Sequence, residues 1–206
     1  MRSIGQVSYR SVPMNKFKFI TMIVLTAFLA NAAKSVEITN FVEAARKQIG
    51  KTLFYDSRYR VIDYPNGDVP IDRGVCTDVI VRALRVAFGY DLQKFVYEDM
   101  KNDFSKYPQK WGLNQPDKNI DHRRVPNLQT FFERKGWSLP LSDHPSEFKA
   151  GDIVTCIIPG NLPHIMIVSD RRSKDNHPLV IHNIGNGTQE EDRLFEFKVT
   201  GHYRIK

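Results

Sequence analysis

Apolar residues recur at helical spacing before residue 150, whereas short apolar runs separated by turns dominate after it. Residues typical of helix ends bound each helical stretch. Four helices are predicted: Thr39–Ile49 followed by Gly50, Cys76–Phe88 followed by Gly89, a helix capped by Asp91 that carries Leu92 to Met100, and Pro126 to Gly136. The turn-rich stretch from Tyr55 to Gly74 is predicted to be a long loop that leads to Cys76.

The later runs predict the strands of a mostly antiparallel sheet, so the fold class is α+β. The strands are expected at Ile153–Ile158, Ile165–Val168, Leu179–Ile181, Leu194–Val199 and His202–Ile205. If residues 159–163 close a hairpin, Ile158 lies opposite His164 and Cys156 lies opposite Met166. In that register, His164 and Cys156 share a face of the sheet.

The N-terminus is typical of a secretory leader, because four basic residues precede the apolar run Phe19–Leu29 and small residues follow it. We predict a signal peptide over residues 1–32, cleaved after Ala32, with Met14 as an alternative start. A retained membrane anchor is the other interpretation, but the run is shorter than the ~20 residues of a spanning helix. Residues 33–206 are then a single domain located in the periplasm or secreted, with no stable membrane span.

Composition narrows the functional classes. The leader contains four basic and no acidic residues, so its removal lowers the formal charge from +7 to +3. Without a long basic run or an aromatic-basic platform, nucleic-acid binding is not predicted. No cofactor and no metal are predicted, and we expect a monomer.

Cys76 is the candidate nucleophile. It opens a predicted helix directly after Gly74-Val75, and unpaired N–H groups at a helix N-terminus favour a thiolate. Asp78 in the same turn acts against that effect. Because an exported protein meets an oxidising compartment, a structural disulfide between Cys76 and Cys156 is the alternative.

Two histidines beside apolar strand runs are candidates for a general base and the group that orients it. His164 begins the run Ile165–Val168, and His182 ends the run Leu179–Ile181. Successive strand residues face opposite ways, so only one of His182 and Asn183 can point at His164. His182 is preferred and Asn183 stays the second candidate.

These segments resemble known sequences. Their order is that of the NlpC-type cell-wall peptidases, which are papain-like cysteine hydrolases: Gln48-Ile49-Gly50-Lys51, Cys76 opening a helix, Gly151-Asp152-Ile153-Val154, His164-Ile165-Met166-Ile167-Val168, and Ile181-His182. The closer resemblance is to a bacterial family called domain of unknown function 1287, on Tyr64-Pro65-Asn66-Gly67-Asp68-Val69-Pro70, Gly74-Val75-Cys76-Thr77-Asp78, Ile120-Asp121-His122-Arg123-Arg124-Val125-Pro126-Asn127-Leu128 and His182-Asn183-Ile184-Gly185.

The resemblance implies a papain-like fold, with Cys76 as nucleophile, His164 as general base and His182 as its orienting group. Thr77-Asp78 replaces the Ser-Gly that usually follows the peptidase cysteine, so the fold transfers better than the substrate does. The implied function is an exported cysteine amidase or peptidase acting on peptidoglycan or another envelope amide.

Further residues are candidates for substrate binding. Arg123 and Arg124 precede a helix, and a guanidinium binds carboxylates with two hydrogen bonds. Tyr64 is a candidate for the cleft wall or an oxyanion donor, although a Tyr-Pro turn explains it equally well, and the Cys76 N–H is the more natural oxyanion donor. Asp78 and Asn183 complete the set.

Two other functions remain open at this point. One is a non-catalytic envelope binding protein whose structural disulfide joins Cys76 to Cys156. The other takes Cys76, His164 and His182 as zinc ligands, although their spacings match none of the usual zinc motifs.

Overall fold

A computed structural model describes residues 32–206 of the chain. Residues Val36–Lys206 form a compact unit. The predicted leader lies outside the described residues, apart from its last position. Among residues 32–206, no helix is long and apolar enough to cross a membrane.

The described chain contains four α-helices, as the apolar spacing predicts. They are α1 (residues 32–46), α2 (Cys76–Phe88), α3 (Leu92–Asn102) and α4 (Val125–Arg134). The bounds of α2 agree with the prediction, and Gly89 ends it in the left-handed conformation, with φ of 65°. The Asp91 side chain does not cap α3, because its Oδ2 accepts a hydrogen bond from the Asn66 N–H at 2.7 Å instead.

The strands form a five-stranded antiparallel sheet and a small parallel pair, so the fold is α+β. The parallel pair lies within the predicted loop and joins β1 (Phe54–Tyr55) to β2 (Arg73–Gly74). The large sheet has the order β6-β5-β4-β3-β7. Its strands are β3 (Ile153–Ile158), β4 (Leu162–Arg172), β5 (Pro178–Asn183), β6 (Thr188–Glu191) and β7 (Lys198–Tyr203).

The β3–β4 hairpin differs from the predicted register by two residues. Cys156 pairs with His164 and Ile158 pairs with Leu162, so the connecting turn is shorter than expected. Gly160 and Asn161 adopt positive φ angles of 83° and 59°, which lets the chain reverse within three residues. The shift is an even number of residues, so the prediction that His164 and Cys156 share a face is confirmed.

The two faces of the large sheet bury different clusters. Face A packs against the helices and contributes Ile153, Ile165, Ile167 and Ile181 to the main core. Face B carries a smaller cluster that includes Val154, Cys156, Met166, Val168 and Val180. Each strand residue points to only one face of the sheet, so this division determines which side chains can contact one another.

Asp152 joins the start of β3 to the end of the chain. Its carboxylate accepts hydrogen bonds from Arg204 Nε at 2.6 Å and from the Lys149 N–H at 2.8 Å, and His202 Nε2 lies 2.8 Å away. Burial raises the pKa of Asp152, but the hydrogen bonds with His202 and Arg204 outweigh burial and lower the pKa overall.

We therefore expect Asp152→Asn to lower the free energy of unfolding at pH 7 by roughly 2–3 kcal/mol. A lowered folded-state pKa stabilises the protein above the unfolded-state pKa of about 4, and this contribution disappears as the pH falls through the folded-state value. Urea unfolding at several pH values should show the deficit shrinking below about pH 4. Glu196→Gln removes a solvent-exposed partner of Arg193 and should change stability by less than about 0.5 kcal/mol. A deficit that stays constant at low pH contradicts this assignment.

Candidate active site

Cys76 lies at the start of α2 and at the wall of a cleft of about 420 Å³. It is the first helical residue, so its backbone N–H has no partner inside the helix. Only 4% of the residue is exposed. The cleft is lined by Tyr55, Ser57, Val75, Cys76, Lys110, Trp111, Ile120, Arg123, Arg124, Val125, Pro126 and Pro163.

A buried ion pair fixes the chain around Cys76. Asp78 Oδ2 accepts the Val75 N–H at 2.6 Å, and Arg123 donates from Nε and Nη2 to the two Asp78 oxygens at 2.9 Å each. Arg123 Nη2 also donates to the Asp56 carbonyl at 3.0 Å. These contacts occupy both charged groups, although Arg123 also lines the cleft, and the substrate-binding roles of Asp78 and Arg123 stay predictions. Both residues hold the cleft together.

Asn183 supports the same segment from the sheet. Its Nδ2 donates to the Gly74 carbonyl at 3.2 Å, and its Oδ1 accepts the Gly185 N–H at 3.2 Å. Asn183 is fully buried, and its contact with substrate stays a prediction. A Cβ atom at Gly74 would lie 3.0 Å from Asp78 Oδ2, so a larger residue here would push the carboxylate by a few tenths of an ångström.

His164 and His182 meet on face B. His164 Nε2 lies 2.8 Å from His182 Nδ1, and both residues are buried. His182 Nε2 lies 3.1 Å from Glu191 Oε2, which extends the chain of hydrogen bonds to a carboxylate. Of the two candidates for the orienting group, His182 therefore contacts His164 and Asn183 does not.

The Cys76 side chain lies against β4, next to the position of His164 in that strand. The Ile165 N–H hydrogen bonds to the Cys76 sulfur, and Cys76 packs in the main core with Ile165 and Ile167. Alternation along β4 places His164 on face B with Met166. Among the described residues, no hydrogen bond joins Cys76 to His164. The thiol and the imidazole thus flank the same stretch of strand, and the structure does not bring them into direct contact.

Burial keeps both groups uncharged at rest. Burial raises the pKa of the Cys76 thiol to about 12; hydrogen bonds from the Ile165 and Thr77 N–H groups act in the opposite direction, and the Asp78 charge adds to the rise. Burial lowers the pKa of His164 to about 3, and repulsion from His182, whenever that ring is protonated, and from Arg193 acts the same way. A neutral thiol therefore lies beside a strand that carries a neutral imidazole.

The outer wall of the cleft is cationic and aromatic. The Arg124 guanidinium lies 4.1 Å from the centre of the Trp111 ring and donates to Asp121 Oδ1 at 2.7 Å. Lys110 is exposed and has no ion-pair partner within residues 32–206. Arg124 thus lines the cleft, and its role in substrate binding stays a prediction. Tyr64 packs edge-on against Tyr97 and is not among the residues that line this cleft, so its role in substrate binding stays a prediction.

The two alternatives to catalysis do not match the structure. Cys76 and Cys156 are both free and belong to clusters on opposite faces of the sheet, so the predicted alternative of a disulfide between them is wrong. Within residues 32–206, no group of three or more His, Cys, Asp and Glu residues could hold a metal ion. The zinc alternative needs such a group around Cys76, His164 and His182.

Several residues of this region carry no signal in the sequence, and four of them matter for the site. Tyr55, Lys110 and Trp111 line the cleft, and Glu191 contacts His182. The three cleft residues lie in loops or at the very short strand β1, where periodicity gives no signal. Glu191 lies in β6, whose sequence Thr-Gln-Glu-Glu lacks an apolar run.

Comparison with known proteins gives a relative and a solved structure. The chain is 52% identical over 192 residues to the protein YijF of Escherichia coli (strain K12), described as uncharacterized, and the match covers 87% of this chain and 93% of YijF. A structure titled N-acetylmuramoyl-L-alanine amidase from Bacteroides uniformis matches with a TM-score of 0.49 and 14% identity, over 82% of this chain and 99% of that one. The family model for DUF1287, a domain of unknown function, matches residues 42–205. The chain therefore belongs to the DUF1287 family.

Proposed function

We propose that this protein is an exported cysteine amide hydrolase with a papain-like fold that acts on peptidoglycan or another envelope amide. The observation that carries the proposal is the placement of Cys76. It lies at a helix N-terminus in the wall of a cleft, and the next strand residue after His164 donates its N–H to the thiol sulfur. The hydrogen-bonded chain of His164, His182 and Glu191 supplies a base beside that strand.

The proposed reaction has two stages. Cys76 Sγ attacks the amide carbonyl as its proton moves to His164, and the Cys76 N–H stabilises the oxyanion. His164 then protonates the departing amine, which leaves a thioester. Water loses a proton to His164 and attacks the thioester, which gives a carboxylic acid and restores the thiol.

The proton transfer requires the thiol and His164 to approach one another. β4 and β5 pair from Ile167 and Ile181 onward, so the segment of β4 around His164 is unpaired on the β5 side. Because Cys76 lies on face A and His164 on face B, the proton has to pass around this edge of β4, through a twist of the edge or a single bridging water when substrate fills the cleft. Because both groups are neutral at rest, attack and proton transfer are coupled rather than sequential.

Replacing Cys76 by Ala should lower the release of peptides from purified sacculi by roughly 10³-fold or more, because the thioester cannot form. The products are identified by mass spectrometry. Cys156→Ala is the matched control: it removes the other buried thiol and should retain cleavage if the protein remains folded. Identical products from wild type and Cys76→Ala exclude Cys76 catalysis on this substrate.

The ionisation of Cys76 gives a second test. Since its pKa is raised to about 12, the thiolate fraction grows throughout the neutral and mildly alkaline range. The rate of Cys76 alkylation by iodoacetamide in the Cys156→Ala background should therefore rise continuously from pH 6 to pH 10. A plateau reached below pH 7 indicates a stable thiolate–imidazolium pair and contradicts the neutral resting state.

The cationic cleft wall favours substrates that carry a carboxylate near the cleaved amide. We expect Lys110→Glu to raise the KM for such a substrate by about 3- to 10-fold, with a smaller effect on kcat, because a favourable charge becomes a repulsive one. Lys149→Glu makes the same charge change at an exposed lysine outside the cleft lining and serves as control. Equal effects of the two substitutions indicate a general charge effect.

A further inference from the structure

Glu191 ends a chain of hydrogen bonds that begins at His164. Glu191 Oε2 lies 3.1 Å from His182 Nε2, and His182 Nδ1 lies 2.8 Å from His164 Nε2. Residue 191 pairs with Val180 across the β5–β6 ladder, so its side chain lies on face B with His182. The neighbouring Glu190 points the other way and contacts Arg46 and Ser169.

The direction of each hydrogen bond follows from the carboxylate. A carboxylate only accepts, so His182 must donate from Nε2–H. A neutral imidazole carries one N–H, and its other nitrogen is an acceptor. His182 Nδ1 therefore accepts, and the proton between the two rings belongs to His164 Nε2. His164 Nδ1 is then left with a free lone pair.

The surroundings favour this arrangement. Burial lowers the pKa of His182 and the hydrogen bond with Glu191 raises it, with a net lowering, so the ring is neutral with a single N–H to place. His164 Nδ1 makes no hydrogen bond to any residue between 32 and 206. Arg193, which lies 3.9 Å from Glu191 and also pairs with Glu196, keeps positive charge beside the carboxylate.

We propose that Glu191 is a positioning residue of the hydrolase: it fixes His182 in the Nε2–H tautomer, which leaves His164 Nδ1 as the atom that receives the Cys76 proton. This inference rests on the proposed function. It adds a residue that does not touch substrate and names the nitrogen that accepts the proton. Without the carboxylate, His182 is free to carry its proton on Nδ1, which turns His164 Nε2 into the acceptor and blocks Nδ1 with hydrogen.

Imidazole tautomers are read directly by NMR on protein labelled with ¹⁵N-histidine, with no substrate present. The signals are assigned with the His164→Gln and His182→Gln variants. In wild type, both rings should be protonated at Nε2. In Glu191→Ala, a population with His182 protonated at Nδ1 should appear, and kcat on the cleaved substrate should fall by about 10- to 100-fold. Glu191→Gln offers an amide oxygen to the same N–H, so it should restore the tautomer and most of the rate.

Glu190→Gln is the matched control, because it removes a carboxylate from the adjacent position on the opposite face and should leave both tautomers unchanged. Tautomers that are the same in wild type and Glu191→Ala overturn the inference, whatever the activity. An inactive wild type with the expected tautomer change overturns the proposed function instead, because the hydrogen-bond chain is then present without the reaction.

Discussion

The ion pair between Asp78 and Arg123 joins the three chain segments that surround Cys76. Asp78 belongs to the first turn of α2, Arg123 precedes α4, and the Arg123 guanidinium also binds the carbonyl of Asp56 in the preceding loop. Both side chains are only 4% exposed. Removing one partner of such a buried pair leaves an uncompensated charge, which typically costs about 3–5 kcal/mol. The shape of the cleft therefore depends on this pair.

The same pair affects the chemistry of the thiol. Asp78 caps the N-terminus of α2 by accepting the Val75 N–H, yet its negative charge raises the pKa of Cys76. The N-terminus of α2 and the backbone N–H donors lower the pKa of the Cys76 thiol, but burial raises it by more. The sequence correctly places Cys76 at a helix N-terminus. That position alone would suggest a lower thiol pKa than the structure gives, because the cost of removing the thiolate from water depends on tertiary packing.

The sequence predicts the bounds of an element correctly where two local signals agree. The apolar face of α2 and the stop at Gly89 determine its bounds, and both signals are local. The hairpin register was missed by two residues because it depends on the positive φ angles of Gly160 and Asn161, which allow a shorter turn. Arg123 resembled a surface ligand in sequence, since its partner Asp78 lies 45 residues away. A contact between residues so far apart in the chain forms only when α2 packs against the segment before α4. The local pattern of apolar residues does not predict that packing.

The thiol and the imidazoles of the candidate site lie on opposite faces of the sheet. Face A packs against α2 and fixes the thiol beside β4, while face B holds the imidazoles away from the cleft in a chain that ends at Glu191. Burial lowers the pKa of His164 to about 3, so the ring is neutral at rest, which the proposed role of His164 as a base requires. Because β4 and β5 first pair at Ile167 and Ile181, the end of β4 that carries His164 is held by its pairing with β3 and by the contact between His164 and His182. The thiol and the imidazole therefore lie on opposite faces of one strand, and the proposed proton transfer has to pass around the edge of that strand.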